Sequence, residues 1–125
     1  SVQEDEEELR EIYEPDPAEE NREAVADSAA DENVVQAIWT SGNSTITFYY
    51  GPTVEEGDYF GEETVTNVWV GDEVVTSHGW LFDNSIKDVI MTAVFDASFQ
   101  AVSLSSLRGW FNKCFNLQYL DFVTV

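Results

Sequence analysis

The chain has 125 residues, about the size of one domain, and is strongly acidic, with 25 Asp and Glu against 5 Lys and Arg and a net charge of −20. A polyanion is repelled by nucleic acid and by anionic membrane surfaces, and no apolar run is long enough to span a bilayer, so we expect neither nucleic-acid binding nor a membrane span. A single Cys and a single His exclude an internal disulfide and a structural zinc site.

The first quarter of the chain is an acidic leader. Residues 1–33 hold 14 of the acidic side chains, a single aromatic residue, Tyr13, and too few apolar residues for a buried face. We predict a solvated spacer here, and the alternative is a docking segment for a basic partner or an acidic mimic of nucleic acid. Residues 34–125 hold the other aromatic residues and form the predicted domain.

Apolar and β-branched runs predict several strands in this domain. VVQAIW (34–39) and TITFYY (45–50) are joined by TSGNS, whose Ser, Gly and Asn are typical of a hairpin turn. GPTVEEGDYFGEE has the composition of a loop, and a third strand follows at residues 64–70. VVTSHGWLFDNS has no clear period and stays unassigned. DVIMTAVFD (88–96) is continuously apolar and predicts a buried strand.

The C-terminal stretch predicts a short helix and then a strand. Apolar residues fall at helical spacing after Ser103, a suitable N-cap, and they are Leu104, Leu107, Phe111 and Cys114. Gly109 weakens this helix, so we expect it to be short or kinked. LQYLDFV, from residue 117, alternates like a strand. The elements together predict the α+β class, as a small β-rich domain with a hairpin, further strands and one short helix.

Three blocks of the sequence carry a family resemblance. AIWTSGNSTITFYYG, IKDVIMTAVFDASFQ and LRGWFNKCFNLQYLDF follow one another in an order and spacing that resemble the N-terminal portion of BspA-like leucine-rich repeat surface proteins of host-associated bacteria. In that family a hairpin ending in TFYYD comes first, a VVFDxSF strand follows, and a WFYNCxNLTxI segment begins the repeat array. The matching positions here are 47–50, 94–99 and 110–120, and the match covers most of residues 36–120.

The resemblance implies both an architecture and a function. It implies a β-rich domain that caps the apolar end of a repeat stack, with a single leucine-rich-repeat-like turn beginning at about residues 103–125. It also implies a secreted or cell-surface bacterial protein, its signal peptide removed, that serves in adhesion or protein binding and has no catalytic residues. Family members continue into many repeats with NTSNVTDM-like connections, whereas this sequence continues as DFVTV.

The residues with catalytic potential do not form a recognisable active site. Paired carboxylates do acid–base work when two of them are held at a set distance, which an irregular loop does not provide. The acidic side chains of that loop are Glu55, Glu56, Asp58, Glu62 and Glu63. A lone histidine, His78, has no nucleophile that the sequence places beside it. We therefore predict a protein that is not an enzyme and holds no metal or cofactor.

Two groups of residues are candidate binding surfaces. The first is an apolar edge at the end of the domain, which we expect to bind a protein partner or a host surface protein, or to self-associate, and its residues are Leu117, Tyr119, Leu120 and Phe122. The second is an exposed aromatic platform suited to stacking on sugars, and its residues are Tyr59, Phe60, Trp69 and Trp80. The platform makes a carbohydrate-binding β module the alternative function.

Overall fold

The computed structural model describes residues 32–124, and the unit that contains the domain begins at Asn33. The acidic leader predicted over residues 1–33 thus lies, apart from its last two positions, outside the described residues. The described part is a small α+β domain, in which a mixed sheet packs on one side against short helices and turns. None of the helices in this part of the chain is long and apolar enough to cross a membrane.

The described residues form six strands and four short helices. The strands are β1 (Val34–Thr40), β2 (Thr45–Gly51), β3 (Tyr59–Phe60), β4 (Glu63–Val70), β5 (Thr92–Phe95) and β6 (Tyr119–Phe122). The helices are α1 (Asp72–Val75), η1 (Gly79–Phe82), α2 (Asn84–Lys87) and η2 (Ala97–Ala101), of which η1 and η2 are 3₁₀ helices. The order across the sheet is β3-β4-β1-β2-β5-β6.

Both pairing directions occur in this sheet. β1 pairs antiparallel with β2 and β4, and β3 pairs antiparallel with β4. β2 pairs parallel with β5, which pairs parallel with β6. The strands predicted at residues 34–39, 45–50 and 64–70 correspond to β1, β2 and β4. The sheet is therefore an antiparallel half joined through β2 to a parallel half.

The predicted hairpin between β1 and β2 turns at Asn43. This residue has a φ of 61°, in the left-handed region that asparagine tolerates better than most residues. Its N–H donates to the carbonyl of Thr40 at 3.0 Å, and its side-chain oxygen accepts from the Trp39 indole at 3.1 Å. The turn is thus fixed by both backbone and side chain, which sets the register of β1 against β2.

One face of the sheet builds the aromatic core. Phe48 on β2 is fully buried, and its ring centroid lies between 4.6 and 6.0 Å from those of five other rings, which belong to Trp80, Phe95, Phe99, Trp110 and Phe111. Burying a phenylalanine stabilises a fold by about 1.5–3 kcal/mol, and close aromatic pairs add about 0.5–1.5 kcal/mol. The hairpin, the helices and the C-terminal turns therefore all pack around the ring of Phe48.

A buried amide holds the loop that follows β2. Gln36 on β1 is fully buried, and its side-chain nitrogen donates to the carbonyls of Gly51 at 3.2 Å and Pro52 at 3.0 Å. Its side-chain oxygen accepts from the N–H of Val54 at 2.8 Å. Because both ends of the amide are satisfied, its burial costs little, and the loop is tied to the sheet face opposite the aromatic core.

The predicted helix after Ser103 is wrong, because residues 102–118 consist of turns and irregular segments without a helix. Gly109 and Lys113 have φ angles of 82° and 63°, and a left-handed residue interrupts an α-helix. The spacing of the apolar residues has another origin in backbone hydrogen bonds from the N–H of residue i+3 to the carbonyl of residue i, three of which join two apolar residues. They are Trp110 to Leu107 at 3.1 Å, Cys114 to Phe111 at 3.0 Å and Leu117 to Cys114 at 3.1 Å. Consecutive turns place a residue inward every three or four positions, as a helix does.

The segment that the sequence left unassigned holds α1, η1 and α2. Asp83 caps α2 by accepting a hydrogen bond from the N–H of Ser85 at 3.0 Å. The N–H of Ile90 then donates to the carbonyl of Ile86 at 3.0 Å, which continues the turn past the end of α2. The strand predicted at residues 88–96 is accordingly shorter, because β5 begins only at Thr92.

Replacing Gln36 by leucine should lower the free energy of unfolding by about 2 kcal/mol. The change keeps the side-chain volume but leaves one buried N–H and two carbonyls without their partner. Urea denaturation followed by tryptophan fluorescence measures the difference. The matched control is Gln118→Leu at an exposed position, and an equal loss of stability in both variants would contradict the role given to the buried amide.

Candidate partner-binding edge

In the parallel half of the sheet, β5 lies beside β2 and β6 lies beside β5. Thr92 of β5 pairs with Thr45 of β2 and with Tyr119 of β6, and Phe95 pairs likewise with Phe48 and Phe122. The offset from β5 to β6 is 27 residues throughout the pair, so the chain makes one coil and returns in register. β6 thus lies beside β5 in the same direction, one strand further out.

The backbone hydrogen bonds repeat with the strands. Four of them mark the two ends of the parallel pairs, and they run from Met91 to Ser44 at 2.8 Å, from Gln118 to Met91 at 2.8 Å, from Asp96 to Phe48 at 2.9 Å and from Val123 to Phe95 at 2.9 Å. The donors Gln118 and Val123, at the ends of β6, lie 27 positions after the donors Met91 and Asp96, at the ends of β5. β6 therefore meets β5 in the same geometry in which β5 meets β2.

Three phenylalanine rings stack along this direction. The centroids of Phe48 and Phe95 lie 4.6 Å apart with an interplanar angle of 20°, and those of Phe95 and Phe122 lie 4.7 Å apart with an angle of 11°. These spacings are close to the distance between adjacent strands. Phe48 and Phe95 are buried, whereas Phe122 is 55% exposed. The stack ends on a ring that has a neighbour on one side only.

β6 is the edge strand of the sheet, and the structure exposes all four of its residues. Tyr119 is 59% exposed, and Leu120 is 50% exposed. Leu117, the first residue of the sequence-predicted edge, differs, because it is half-buried and packs against the core. Tyr119, Leu120 and Phe122 thus lie together on an uncovered edge, whose outward backbone groups are free to pair with another strand.

An apolar cleft adjoins the last ring of the stack. It has a volume of about 260 Å³, and its lining includes Phe95, Phe99, Leu104, Leu107, Phe122 and Val123. Apolar surface of this kind is stabilised when it is covered, and no described residue covers it. Sequence reasoning missed Val123 and the two buried rings of the stack. Their signal is a phenylalanine in each strand, but these residues are 47 and 27 positions apart, so no single period marks them.

The opposite edge of the sheet is protected. β3 is only two residues long, and a bulge interrupts the pairing of β1 with β4 between Trp39 and Thr40. At the far end of β4 the Glu73 carboxylate accepts from the N–H of Val70 at 3.4 Å. Short strands, bulges and acidic groups are the devices by which sheets avoid adding further strands. The two edges therefore differ, because the β3–β4 edge has these features and β6 is a regular strand without them.

The predicted aromatic platform is wrong for Trp80. This side chain is fully buried, and its indole N–H donates to the carbonyl of Trp110 at 2.8 Å. Trp69 is half-buried and packs edge-on against Trp80, with centroids 6.0 Å apart. These rings are large apolar groups drawn into the core, so they offer no stacking surface to a sugar.

The other two platform residues lie at the β3 edge, where alternation along the strand turns them to opposite faces of the sheet. Tyr59 is 79% exposed, and Phe60 is half-buried against Tyr49 at a centroid distance of 5.5 Å. Tyr49 is directly opposite Gln36 in the β1–β2 register, on the face away from the aromatic core. The four predicted residues thus do not share one surface, which removes the observation on which the carbohydrate alternative depended.

The acidic loop uses its side chains to hold turns. The Glu63 carboxylate accepts from the hydroxyl of Thr40 and from the N–H of Gly42, the latter at 3.2 Å. Asp58 accepts from the N–H of Glu55 at 3.0 Å. Within residues 32–124, no three His, Cys, Asp or Glu side chains lie together as metal ligands. The carboxylates with described partners are thus engaged with the backbone and with a neighbouring hydroxyl.

His78 and Cys114 both pack among other groups. The Nδ1 atom of His78 lies 2.7 Å from the carbonyl of Val74, so in this geometry Nδ1 carries the proton and donates it. The imidazole is flanked by the rings of Trp80 and Trp110, at centroid distances of 5.7 and 5.2 Å. Cys114 is buried in the core. Neither residue has a described partner that would activate a nucleophile.

Comparison of the chain with protein-family models, curated proteins and solved structures finds no match. The description of the site therefore depends on its geometry alone.

Truncating the central ring and the last ring of the stack should have different costs. Phe95→Ala removes a buried ring and should lower the free energy of unfolding by about 3–5 kcal/mol. Phe122→Ala removes a half-exposed ring and should cost about 1 kcal/mol. Chemical denaturation gives both values, with Phe115→Ala, where the ring is 83% exposed, as the control that should change little. Equal costs for Phe95 and Phe122 would show that the edge is already covered in solution.

The thiol of Cys114 should be protected in the native protein. Burial raises its pKa from the ordinary 9.0, the Lys87 ammonium opposes this change, and the Asp88 carboxylate adds to it. Since the folded pKa is the higher one, this group contributes stability below pH 9 that is lost as pH rises through the folded value. The thiol should also react with a disulfide reagent at least roughly ten-fold faster in urea, because the thiolate is the nucleophile.

Denaturation at pH 8 and pH 10 checks the sign of this effect. The free energy of unfolding should fall more steeply with pH in the wild type than in Cys114→Ala, which keeps every other titrating group. Equal slopes would mean that the thiol has the same pKa in the folded and unfolded chain.

Proposed function

We propose that this domain is a non-catalytic cap of a parallel, leucine-rich-repeat-like solenoid, and that its work is to bind protein. The observation that carries the proposal is the in-register addition of β5 and β6, with one stack of rings running through β2, β5 and β6. A cap must present one protected edge and one edge that accepts the next coil. The protected β3–β4 side and the open β6 side have these properties.

The energetics favour a further coil at β6. Leu120, Phe122 and Val123 are between 37% and 55% exposed, and a following coil would cover much of this surface. Covering the exposed half of such a side chain contributes about 1 kcal/mol. The cleft beside Phe122 would be filled at the same time, which restores the dispersion contacts that its apolar lining lacks. A domain with this edge is therefore more stable in an array than alone.

The resemblance to BspA-like surface proteins supports the same function. The block WFNKCFNL, which in that family begins the repeat array, forms the turns between β5 and β6, and its Trp110 and Cys114 point into the core. On this basis the chain belongs to an exported protein of a bacterial surface that binds another protein or a host surface. Adhesion by such a protein is a matter of surface complementarity, so no catalytic group is required.

A duplicated coil tests the capping function directly. A second copy of residues 96–122, carrying Asp121→Asn in the copy so that no like charge lies beside Asp121, is inserted between Phe122 and Val123, and the copied segment then follows a phenylalanine as the original segment follows Phe95. We expect one cooperative unfolding transition, a denaturant m-value larger by roughly a quarter, and a gain of about 1–3 kcal/mol, because the inserted strand buries the β6 edge.

The control carries serine at the two inserted positions that correspond to Leu120 and Phe122. This variant has the same length and loop but lacks the apolar contact, so it should show neither the gain in stability nor the larger m-value. If the duplicate without these two serines also unfolds with the wild-type m-value, the inserted coil does not stack, and the capping function is refuted.

A further inference from the structure

The β6 edge presents a four-residue pattern to whatever strand pairs with it. In a parallel pair, neighbouring residues lie side by side on the same face of the sheet. Leu120 and Phe122 are in register with the buried Ala93 and Phe95, so they lie on the core face. Tyr119 and Asp121 alternate with them and lie on the outer face. An incoming strand therefore meets two apolar positions on one side and a tyrosine and a carboxylate on the other.

The core face selects an aromatic residue at one position. β2, β5 and β6 each contribute one ring to the stack, and the centroids of adjacent rings lie 4.6 and 4.7 Å apart. Phe122, the last ring, is half-exposed. A ring in register with Phe122 would stack on it at the same spacing, whereas a small side chain would leave apolar surface and the adjoining cleft uncovered. The position in register with Leu120 requires an apolar residue of any shape that fits beside it.

The outer face selects a charge. Asp121 is the only charged residue of β6, and none of the six strands carries a lysine or an arginine. The three basic residues of the described chain lie elsewhere: Lys87 pairs with Asp88 at 2.9 Å, and Arg108 and Lys113 lie in the turns of residues 102–118. Opposite charges on adjacent strands stabilise a pair, and like charges destabilise it. A basic side chain beside Asp121 is therefore favoured and an acidic one is disfavoured.

We infer that β6 accepts a parallel strand of a specific chemistry, with an aromatic residue in register with Phe122 and a lysine or arginine in register with Asp121. This inference depends on the proposed function only in requiring that β6 adds a strand. It excludes a second copy of this chain as the favoured occupant, because each copy carries a net charge of −20 and the copies repel each other. The β6 edge thus selects a strand by its residues, through ring stacking on one face of the sheet and charge on the other.

Synthetic ten-residue peptides probe this specificity. One carries Thr-Leu-Lys-Phe at its centre, and the others replace Lys by Glu or Phe by Ala. Titration into the ¹⁵N-labelled full-length chain, followed by amide chemical shifts of residues 118–124, gives the dissociation constants. We expect the Glu peptide to bind roughly five-fold more weakly, and the Ala peptide at least roughly thirty-fold more weakly. Added salt should weaken binding of the Lys peptide.

Charge reversal in the protein supplies the matched control. Asp121→Lys lies on an exposed position and should reverse the preference, so that the Glu peptide binds more tightly than the Lys peptide. A preference that does not reverse, or an absence of shifts at millimolar peptide, would overturn the inference. So would a dimer in analytical ultracentrifugation without peptide, since a second copy would then occupy the edge.

The duplicated coil separates this inference from the capping function. A duplicate that unfolds as one larger unit, with peptides that bind without regard to charge or aromatic content, would retain the cap and refute the specificity. Peptides that follow the predicted order, with a duplicate that does not stack, would retain the specificity and assign the edge to partner strands instead of a further coil.

Discussion

The stack of Phe48, Phe95 and Phe122 is the interaction on which the rest of the described structure depends. Each ring comes from a different strand, and the first is also the ring around which the helices and the C-terminal turns pack. Because aromatic stacking and strand pairing have nearly the same repeat distance, one geometry satisfies the backbone and the side chains together. The register of the parallel strands is fixed by this agreement, since a slip by one residue would turn each ring to the outer face.

The two outer edges of the sheet differ in how readily they can pair with another strand, and the difference arises from local features. On the β3–β4 side, a bulge, a two-residue strand and the carboxylate of Glu73 discourage further pairing. On the β6 side, the strand is regular and its apolar residues are uncovered. A sheet that resists pairing at one edge and is uncovered at the other can add strands more readily at the uncovered edge. This asymmetry is what the proposed capping function requires.

Polar groups stabilise this arrangement from outside the core. Gln36 ties the loop after β2 to the outer face of the sheet, and Asp96 caps η2 through the N–H of Ser98 at 3.0 Å. The hydroxyl of Ser98 in turn accepts from the N–H of Tyr50 at 3.0 Å, just beyond the last β2 residue that pairs with β5. A side chain thus replaces the strand partner at the point where the chain leaves the sheet. None of the acidic residues in the described part of the chain is fully buried.

The sequence by itself determined most of the strands. Alternation and turn residues located β1, β2, β4 and β6, because strand period and turn chemistry are properties of short segments. The prediction that Leu117, Tyr119, Leu120 and Phe122 form an edge came from the family resemblance, and the structure exposes the last three of them. Tertiary structure alone decided the parallel order of β2, β5 and β6, the burial of Trp80 and the turns at residues 102–118. These depend on contacts between distant segments: a ring is buried only when another part of the chain covers it, and apolar spacing of three or four residues is shared by helices and successive turns.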